Sequence, residues 1–344
     1  MRTENLDLSD KATFESEPEV SNTDKRKQTE RLPRIDNNKE LYEKLLPLCR
    51  LKTGEIYEDK QSGHRIGVLD ATNPDDINKI LNTNKSSLII NDPPYNVKVG
   101  NANTKNLFKI DWNEYIKFSE KWVQNAFNAM TDSAHLYIWL GTDVKDNFQP
   151  LPEFMIMMRD FKDLSPRNYI TLRNQRGYGT QQNWMWIRQE LLHYTKGKPF
   201  FKVVYTDIPK VLKGYYKVIN GKRTDNLERS KSDTIRPGNV WIDVQQVFYR
   251  MEENVPGCYA QKPLKAIDRI IQTSSSEGDI IMDFFSHAGT TLIAGELLRR
   301  KVYTFDLDPV YAEISIRRLE HFRKTGKTGW QWENPFPEID RELK

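Results

Sequence analysis

The pattern that most restricts the fold of this 344-residue chain lies at residues 278–311. A short apolar run ends in Asp283, a loop of small residues follows, and residues 292–298 have helical spacing. A second apolar run ends in Asp306, and Pro309 opens another helix near its first turn. Strand, loop, helix and strand predict a βαβ unit that holds a cofactor at the carboxyl edge of a parallel sheet. An acid at the end of the second strand can accept both hydroxyl protons of a ribose.

Earlier in the chain, another apolar run at residues 88–91 leads into the tetrapeptide Asp92-Pro93-Pro94-Tyr95. Two consecutive prolines remove two N–H donors and fix two φ angles, so the strand must stop there. The carbonyls of Asp92 and Pro93 then lack partners from a continued ladder and can point at a ligand. A carboxylate, two carbonyls and an aromatic ring suit the binding of a planar amine.

A third motif, Gln261-Lys262-Pro263-Leu264, precedes a helix with apolar residues at positions 264, 267, 270 and 271. We expect Pro263 at an early position of that helix, where its missing N–H costs nothing. The motif stands some twenty residues ahead of Asp283.

The three motifs resemble those of S-adenosylmethionine-dependent amino-methyltransferases, which modify the exocyclic nitrogen of adenine or cytosine in nucleic acid. The form with aspartate first is mostly associated in that family with the N6 of adenine. The family's cofactor loop usually reads Asp-Pro-Phe-x-Gly-Ser-Gly-Thr-Thr. Asp283, Phe285, Gly289, Thr290 and Thr291 match it, whereas Phe284, His287 and Ala288 replace proline, glycine and serine.

The order of the motifs resembles the β group of that family, over roughly residues 62–325. The resemblance implies an α/β, Rossmann-like methyltransferase fold with a doubly wound, mostly parallel sheet, a permuted motif order and a basic target-recognition insert. It implies S-adenosyl-L-methionine as the cofactor and a reaction that requires no metal ion. The expected catalytic residues are Asp92, Pro93, Pro94 and Tyr95. The expected cofactor-binding residues are Asp70, Gln261, Lys262, Pro263, Asp283, Phe285, Ser286, His287, Ala288, Gly289, Thr290, Thr291 and Asp306.

The middle of the chain is basic. Residues 159–250 carry 18 lysines and arginines against 8 acids, a net +10, so the remainder carries −6 of the total +4. A basic stretch on a mildly acidic protein predicts a phosphate-binding surface, although a solvated lysine-rich loop would have the same composition. We expect DNA contacts from Lys210, Lys213, Lys217, Lys222, Arg223, Arg229, Lys231 and Arg236. The expected partner is double-stranded DNA, and the resemblance allows a homodimer and a cognate restriction endonuclease.

The predicted organisation has five parts. Residues 1–38 form a disordered polar arm, 39–195 the catalytic half, 196–250 the basic insert, 251–325 the cofactor half and 326–344 a C-terminal tail. The only two cysteines, Cys49 and Cys258, have no metal-binding spacing and favour a reducing compartment. Residues 1–40 contain no apolar leader and no apolar stretch is long enough to span a bilayer, so we expect a cytoplasmic protein.

Four functions remain open at this point. The first is methylation of adenine N6 in a specific DNA sequence after the base has been flipped out, and the second is methylation of cytosine N4. The third is methylation of a protein amide side chain, which the basic insert and the permuted order disfavour. The fourth is a catalytically degenerate nucleic-acid-binding partner subunit. His287 is the feature that favours this last reading, whereas intact Asp92 and Tyr95 oppose it.

Overall fold

The computed structural model describes residues 32–94, 112–141, 149–178, 181, 184–209, 216–225, 232–247 and 250–340. Within these ranges the strands are β1 (Ile56–Glu58), β2 (Arg65–Val68), β3 (Ser86–Asn91), β4 (Met130–Leu140), β5 (Leu164–Tyr178), β6 (Trp186–Lys196), β7 (Tyr216–Ile219), β8 (Lys222–Asp225), β9 (Val240–Trp241), β10 (Ile280–Asp283) and β11 (Lys301–Asp306). The helices are α1 (Lys39–Leu45), α2 (Pro74–Leu81), α3 (Trp112–Ala129), α4 (Pro150–Met157), α5 (Leu264–Ser274), α6 (Thr290–Leu297) and α7 (Pro309–Thr325).

Nine of the described strands form one sheet in the order β1-β2-β11-β10-β3-β4-β6-β5-β9, and β7 and β8 form a separate hairpin. The five strands from β2 to β4 in this order run parallel. β1 pairs antiparallel with β2, and β6 pairs antiparallel with both β4 and β5. The predicted mostly parallel α/β sheet is therefore confirmed.

Helices cover both faces of the sheet because its central strands are apolar on both sides. Ile89 faces the layer of α2, α3 and α4, whereas Leu88 and Ile90 face the layer of α5, α6 and α7. Alternate residues of a strand point to opposite faces, which is why one short strand contributes to two cores. The fold is doubly wound, as predicted.

The permuted order is visible in the sheet. β2 and β3 are separated in the sequence only by α2, yet β11 and β10 lie between them in the sheet. The late βαβ unit thus enters a gap between two early strands, and the carboxyl ends of β2, β11, β10, β3 and β4 share one edge.

Two strands of the sheet are long, and one helix start differs from the prediction. α4 begins at Pro150, and a 3₁₀ turn follows it at Met158–Asp160. β5 and β6 are fifteen and eleven residues long, because they pair with each other beyond their apolar centres. Pro263 is the N-cap of α5, with extended backbone, and does not lie inside the helix as predicted.

A third apolar cluster joins both ends of the described chain. Leu32 and Ile35, which fall within the predicted disordered arm, are buried together with Val255. Phe336 and Ile339 of the predicted tail are buried in the same cluster. The packed chain therefore begins before residue 39 and continues past residue 325, while residues 1–31 lie outside the described part.

None of the helices in the described ranges combines the length and apolar character that crossing a bilayer requires.

Candidate functional site

The tips of β3 and β10 lie side by side at the carboxyl edge of the sheet. Their parallel register pairs Ile89 with Met282, so the residues that follow each strand emerge together. Asn91, the last residue of β3, is fully buried, and its Oδ1 accepts a hydrogen bond from the backbone N–H of Phe284 at 3.0 Å. This bond ties the tetrapeptide to the predicted cofactor loop. In the sequence Asn91 is recognisable only as the end of a strand, because the residue that it binds is 193 positions away.

The structure describes three residues of the tetrapeptide, and Tyr95 lies outside the described residues. Asp92 is half-buried and Pro93 is buried. Asp92 Oδ2 accepts a hydrogen bond from Lys262 Nζ at 2.5 Å, and the same ammonium stands 5.4 Å from the ring centroid of Trp139. Lys262, predicted to bind the cofactor, is therefore joined to the predicted catalytic carboxylate.

Asp283 ends β10 beside this pair. Its Oδ1 accepts a hydrogen bond from the backbone N–H of Phe285 at 3.0 Å. Burial, with a smaller contribution from the Asp92 carboxylate, raises the pKa of Asp283 to about 7, although hydrogen bonds from Thr291 and Phe285 act in the opposite direction. Asp283 is thus a desolvated carboxyl that any nearby cation would help to ionise.

His287 takes the backbone conformation that glycine usually provides at this position of the loop. Its φ is +42°, in the left-handed region that costs most non-glycine residues about 1–2 kcal/mol. Its backbone N–H donates to Asp306 Oδ2 at 3.0 Å, and its ring centroid lies 4.8 Å from that of Tyr311. Burial lowers the pKa of His287 to about 4, so the imidazole is neutral at neutral pH. The replacement of glycine therefore leaves the turn in place.

Gly289 closes the loop where α6 begins. Its φ is +69°, and a Cβ at this position would lie 3.0 Å from Ser315 Oγ and 3.1 Å from Ser315 Cα on α7. Only glycine meets both conditions without displacing α7. Thr290 and Thr291, the first two residues of α6, are buried directly behind it.

Asp306 ends β11, the neighbour of β10. Its Oδ2 accepts from the N–H of His287, and its Oδ1 accepts from the N–H of Asp308 at 3.1 Å. Each carboxylate oxygen has a further lone pair, which hydroxyl donors can use. Burial, followed by the charge of Asp308, raises the pKa of Asp306 to about 7.

These groups surround one cleft of about 330 Å³ of empty volume. Its described lining is Ile90, Asp92, Trp139, Lys262, Ile267, Asp283, Phe285, Ser286, His287, Ala288, Thr290 and Thr291. Nine of the predicted catalytic and cofactor residues meet there. Gly289 and Asp306 adjoin the cleft, since the N–H of Gly289 donates to the carbonyl of Ser286 and Asp306 Oδ2 accepts from the N–H of His287.

Gln261 and Asp70 have local partners outside that lining. Gln261 is buried; its Nε2 donates to the carbonyl of Glu253 at 2.8 Å, and its Oε1 accepts from the N–H of Val255 at 3.1 Å. Asp70 Oδ1 accepts from both the N–H and the hydroxyl of Thr72 at 2.8 Å. Both side chains therefore shape the backbone next to the site. Pro263 is buried and caps α5.

Arg318 is a residue of this site that the sequence analysis missed. It is fully buried on α7 and donates to the carbonyl of Ala288 at 2.6 Å, to Thr290 Oγ1 at 3.2 Å and to the carbonyl of Glu253 at 3.2 Å. Burial lowers its pKa to about 10. The guanidinium of Arg318 thus binds the predicted cofactor loop, the first residue of α6 and the segment before α5 at the same time. An arginine within the apolar stripe of a helix was the signal available in the sequence.

The cleft has the polar character of a site for a cationic ligand with hydroxyl groups. The hydroxyl of Ser286 and the indole N–H of Trp139 are buried without a hydrogen-bond partner among the described residues. Asp283 and Asp306 are desolvated carboxyls with raised pKa values. A ligand that supplies positive charge, hydrogen-bond acceptors and ribose hydroxyls would satisfy each of these groups.

The predicted DNA-binding residues are placed only in part. Lys210, Lys213, Arg229 and Lys231 lie outside the described residues, and for Lys217 and Arg223 only the strand backbone of β7 and β8 is described. Lys222 and Arg236 are exposed.

Three comparisons with known proteins bear on the site. A family model described as DNA methylase matches residues 86–317. The chain is 27% identical over 242 residues to the Type II methyltransferase M.HpaI of Haemophilus parainfluenzae, and the aligned region covers 70% of each protein. It is 38% identical over 86 residues to the DNA adenine methyltransferase YhdJ of Escherichia coli, over 24% of this chain and 28% of that one. The solved structure of the cytosine-N4-specific PvuII DNA methyltransferase superposes with a TM-score of 0.54 at 12% identity, over 86% of this chain and 96% of that one, which shows a shared fold.

Proposed function

Since this chain belongs to the DNA methylase family, whose model matches residues 86–317, we propose that it transfers a methyl group from S-adenosylmethionine to an exocyclic amino group of a base in DNA. One observation carries the proposal. Asp92 and the loop after Asp283 border the same cleft, and the Asn91–Phe284 hydrogen bond fixes their relative position. A methyl donor and an amine acceptor can therefore be held next to each other.

The residues of the cleft fit the cofactor. Asp306 would accept the ribose hydroxyls, while the loop from Phe285 to Gly289 and the acid Asp283 would surround the remainder. When bound, S-adenosylmethionine supplies an electrophilic methyl group on a positively charged sulfur. The raised pKa values of Asp283 and Asp306 support this fit, because a cationic ligand returns desolvated carboxyls to their charged form.

Asp92 and the carbonyl of Pro93 would activate the amine. An exocyclic amine of a base is a poor nucleophile, because its lone pair is delocalised into the ring. By accepting its two N–H protons, Asp92 and Pro93 return electron density to nitrogen and favour the tetrahedral geometry of attack. These hydrogen bonds strengthen as positive charge develops on nitrogen, so they lower the barrier and do more than bind. Tyr95 would stack on the base.

The base must leave the duplex to reach Asp92, at a cost of a few kcal/mol.

The position of the hairpin of β5 and β6 favours a duplex that lies across the reactive edge of the sheet. Its residues 186–189 extend past the Leu140–Glu190 pair that ends β4. Arg173 and Arg188 are cross-strand partners on this extension, and Arg188 Nε also pairs with Glu190 Oε1 at 2.9 Å, so the three side chains together keep a net positive charge. Trp184 at its end is 91% exposed.

We propose adenine N6 as the target. The aspartate at the start of the tetrapeptide and the similarity of a quarter of the chain to a DNA adenine methyltransferase support this choice. Cytosine N4 is the second candidate, because the shared fold extends over nearly the whole of a cytosine-N4-specific enzyme. The names of relatives such as M.HpaI further support a Type II system, in which a cognate endonuclease cuts the same sequence.

The test is transfer of tritiated methyl groups from S-adenosylmethionine to DNA of varied sequence. The labelled DNA is then digested to nucleosides, separated by mass and mapped to its position. We expect N6-methyladenine at one sequence. N4-methylcytosine would transfer the proposal to the second candidate, and no labelled DNA together with no cofactor binding by calorimetry would indicate a degenerate partner subunit.

A further inference from the structure

The ion pair between Lys262 and Asp92 joins a residue predicted to bind the cofactor to a residue predicted to act on the target amine. Lys262 precedes the N-cap of α5, and its side chain is 10% exposed, while that of Asp92 is 26% exposed. The Nζ–Oδ2 distance is 2.5 Å, and the ring of Trp139 lies beside the ammonium. The contact is therefore enclosed by the cleft and is not a solvated surface pair.

This contact opposes the proposed chemistry. Asp92 would have to accept an N–H of the target amine and stabilise the positive charge that develops on it. The ammonium of Lys262 already supplies both an N–H and a positive charge to the same carboxylate. Two cations on one carboxylate repel each other strongly in a desolvated site. The target amine and Lys262 therefore compete for Asp92.

The charges around the cleft provide an alternative partner for the lysine. Among the described residues that line the cleft, Lys262 is the single lysine or arginine. His287 is neutral because burial lowers its pKa to about 4, and the other charged lining residues are the acids Asp92 and Asp283. A carboxylate carried into the cleft by a ligand would find its counter-ion at Lys262.

We propose that Lys262 is an exchangeable latch. In the cofactor-free protein it holds Asp92; with an amino-acid-bearing cofactor bound, it pairs with the carboxylate of that cofactor and leaves Asp92 to the target amine. The inference rests on the proposed function. It makes cofactor binding and capture of the flipped base positively coupled, and such coupling is reciprocal.

The first test measures cofactor binding without DNA. Calorimetry compares S-adenosylhomocysteine with 5′-methylthioadenosine, which has the same nucleoside and lacks the amino acid. We expect Lys262→Met to weaken S-adenosylhomocysteine binding about fivefold or more and to leave 5′-methylthioadenosine binding within about twofold. The matched control is Lys301→Met, which removes the same charge at the amino end of β11, at the opposite edge of the sheet. Equal binding of S-adenosylhomocysteine by Lys262→Met and the wild type would overturn the latch.

The second test measures base capture. A duplex carries the target base itself at the mapped position and the fluorescent base 2-aminopurine next to it, so that extrusion of the target unstacks the probe and raises its fluorescence. In the wild type, S-adenosylhomocysteine should strengthen the binding that extrudes the target base by about 5- to 150-fold, and 5′-methylthioadenosine should not. Lys262→Met should capture the base equally well with either compound or with none. The latch is wrong if both compounds act alike on the wild type, or if Lys262→Met keeps the wild-type preference.

The two levels of the proposal fail in different ways. If the proposed function is wrong, the wild type methylates no DNA. If only the latch is wrong, the wild type methylates DNA, while its base capture ignores the amino-acid part of the cofactor. Circular dichroism confirms that each variant is folded, and Lys262→Gln replaces Lys262→Met if the methionine variant unfolds.

Discussion

His287 shows that a loop can keep its shape after a residue expected to be essential has been replaced. The family pattern has glycine at this position, and the structure gives histidine the same left-handed backbone, with φ at +42°. The backbone N–H, which any residue other than proline supplies, makes the contact to Asp306. The turn therefore depends on backbone conformation more than on the imidazole.

At His287 we predict that two substitutions differ in their effect on the free energy of unfolding. His287→Gly relieves the left-handed strain and should leave the free energy of unfolding within about 1 kcal/mol of the wild type, because the flexibility of glycine offsets the gain. His287→Val places a β-branched residue at positive φ and should be clearly destabilising. Urea unfolding and calorimetry with S-adenosylhomocysteine measure both. Equal loss of binding in the two variants would show that the ring itself is required.

Arg318 is the residue whose loss should affect the cofactor loop most from a distance. Arg318→Met leaves the carbonyls of Ala288 and Glu253 without their buried donor, and we expect a loss of about 3 kcal/mol or more in stability. Arg318→Lys keeps the charge but not the planar fork, so it should restore stability only in part. Lys324→Met, exposed on the same helix, is the control and should change stability by less than about 0.5 kcal/mol.

The Arg318 variants also separate support of the loop from general stability. If the arginine positions the loop, Arg318→Lys should raise KM for S-adenosylmethionine while kcat changes little, at temperatures where the variant is fully folded. An unchanged KM in a folded variant would mean that Arg318 only stabilises the core.

At the scale of elements, β4 and β6 are joined by a buried histidine pair. His135 Nδ1 and His193 Nε2 lie 2.9 Å apart, His135 Nε2 lies 2.7 Å from the carbonyl oxygen of Phe200, and the ring of His193 stacks on Tyr137 with centroids 4.1 Å apart. Burial lowers the pKa of His135 and lowers that of His193 to about 3. Burial therefore favours the neutral form of both rings, and the contact of His135 with Phe200 tethers the segment after β6 to the sheet.

The histidine pair predicts a loss of stability in acid. Below about pH 6.5 the histidines bind protons in the unfolded chain but remain neutral in the folded one. Their contribution to the free energy of unfolding is therefore fully present above that pH and decreases as the pH drops from about 6.5 towards 3. The loss should approach about 1.4 kcal/mol per pH unit for His193. Urea unfolding at pH 7.5 and 5.5 measures it. His193→Gln should have a shallower pH dependence than the wild type, and identical slopes would contradict the assignment.

Elements whose signal is local were predictable from the sequence. β10, β11 and the helices after them follow from apolar runs bounded by Gly278, Gly289 and Pro309. The lengths of β5 and β6 were not predictable, because their outer residues are polar and are held only by pairing with each other. Asn91, Trp139 and Arg318 were missed for a related reason. Their roles arise from contacts with residues far away in the sequence.

At the scale of the whole molecule, the permuted chain brings two halves together at one sheet edge. Asn91 bonds Phe284 across 193 positions, and Asp92 bonds Lys262 across 170. The motif order in the sequence was enough to predict this meeting. The Lys262–Asp92 contact, which places a predicted cofactor residue on the predicted catalytic acid, could be found only from the structure.

The most direct measurement is methyl transfer by Asp92→Ala and Asp92→Asn, made on the same preparations in which S-adenosylhomocysteine binding is measured by calorimetry. The account predicts that Asp92→Ala abolishes transfer while still binding the cofactor. Asp92→Asn, which keeps the shape and loses the charge, should be severely impaired. Methyl transfer by Asp92→Ala at a rate near that of the wild type would contradict the role of the cleft.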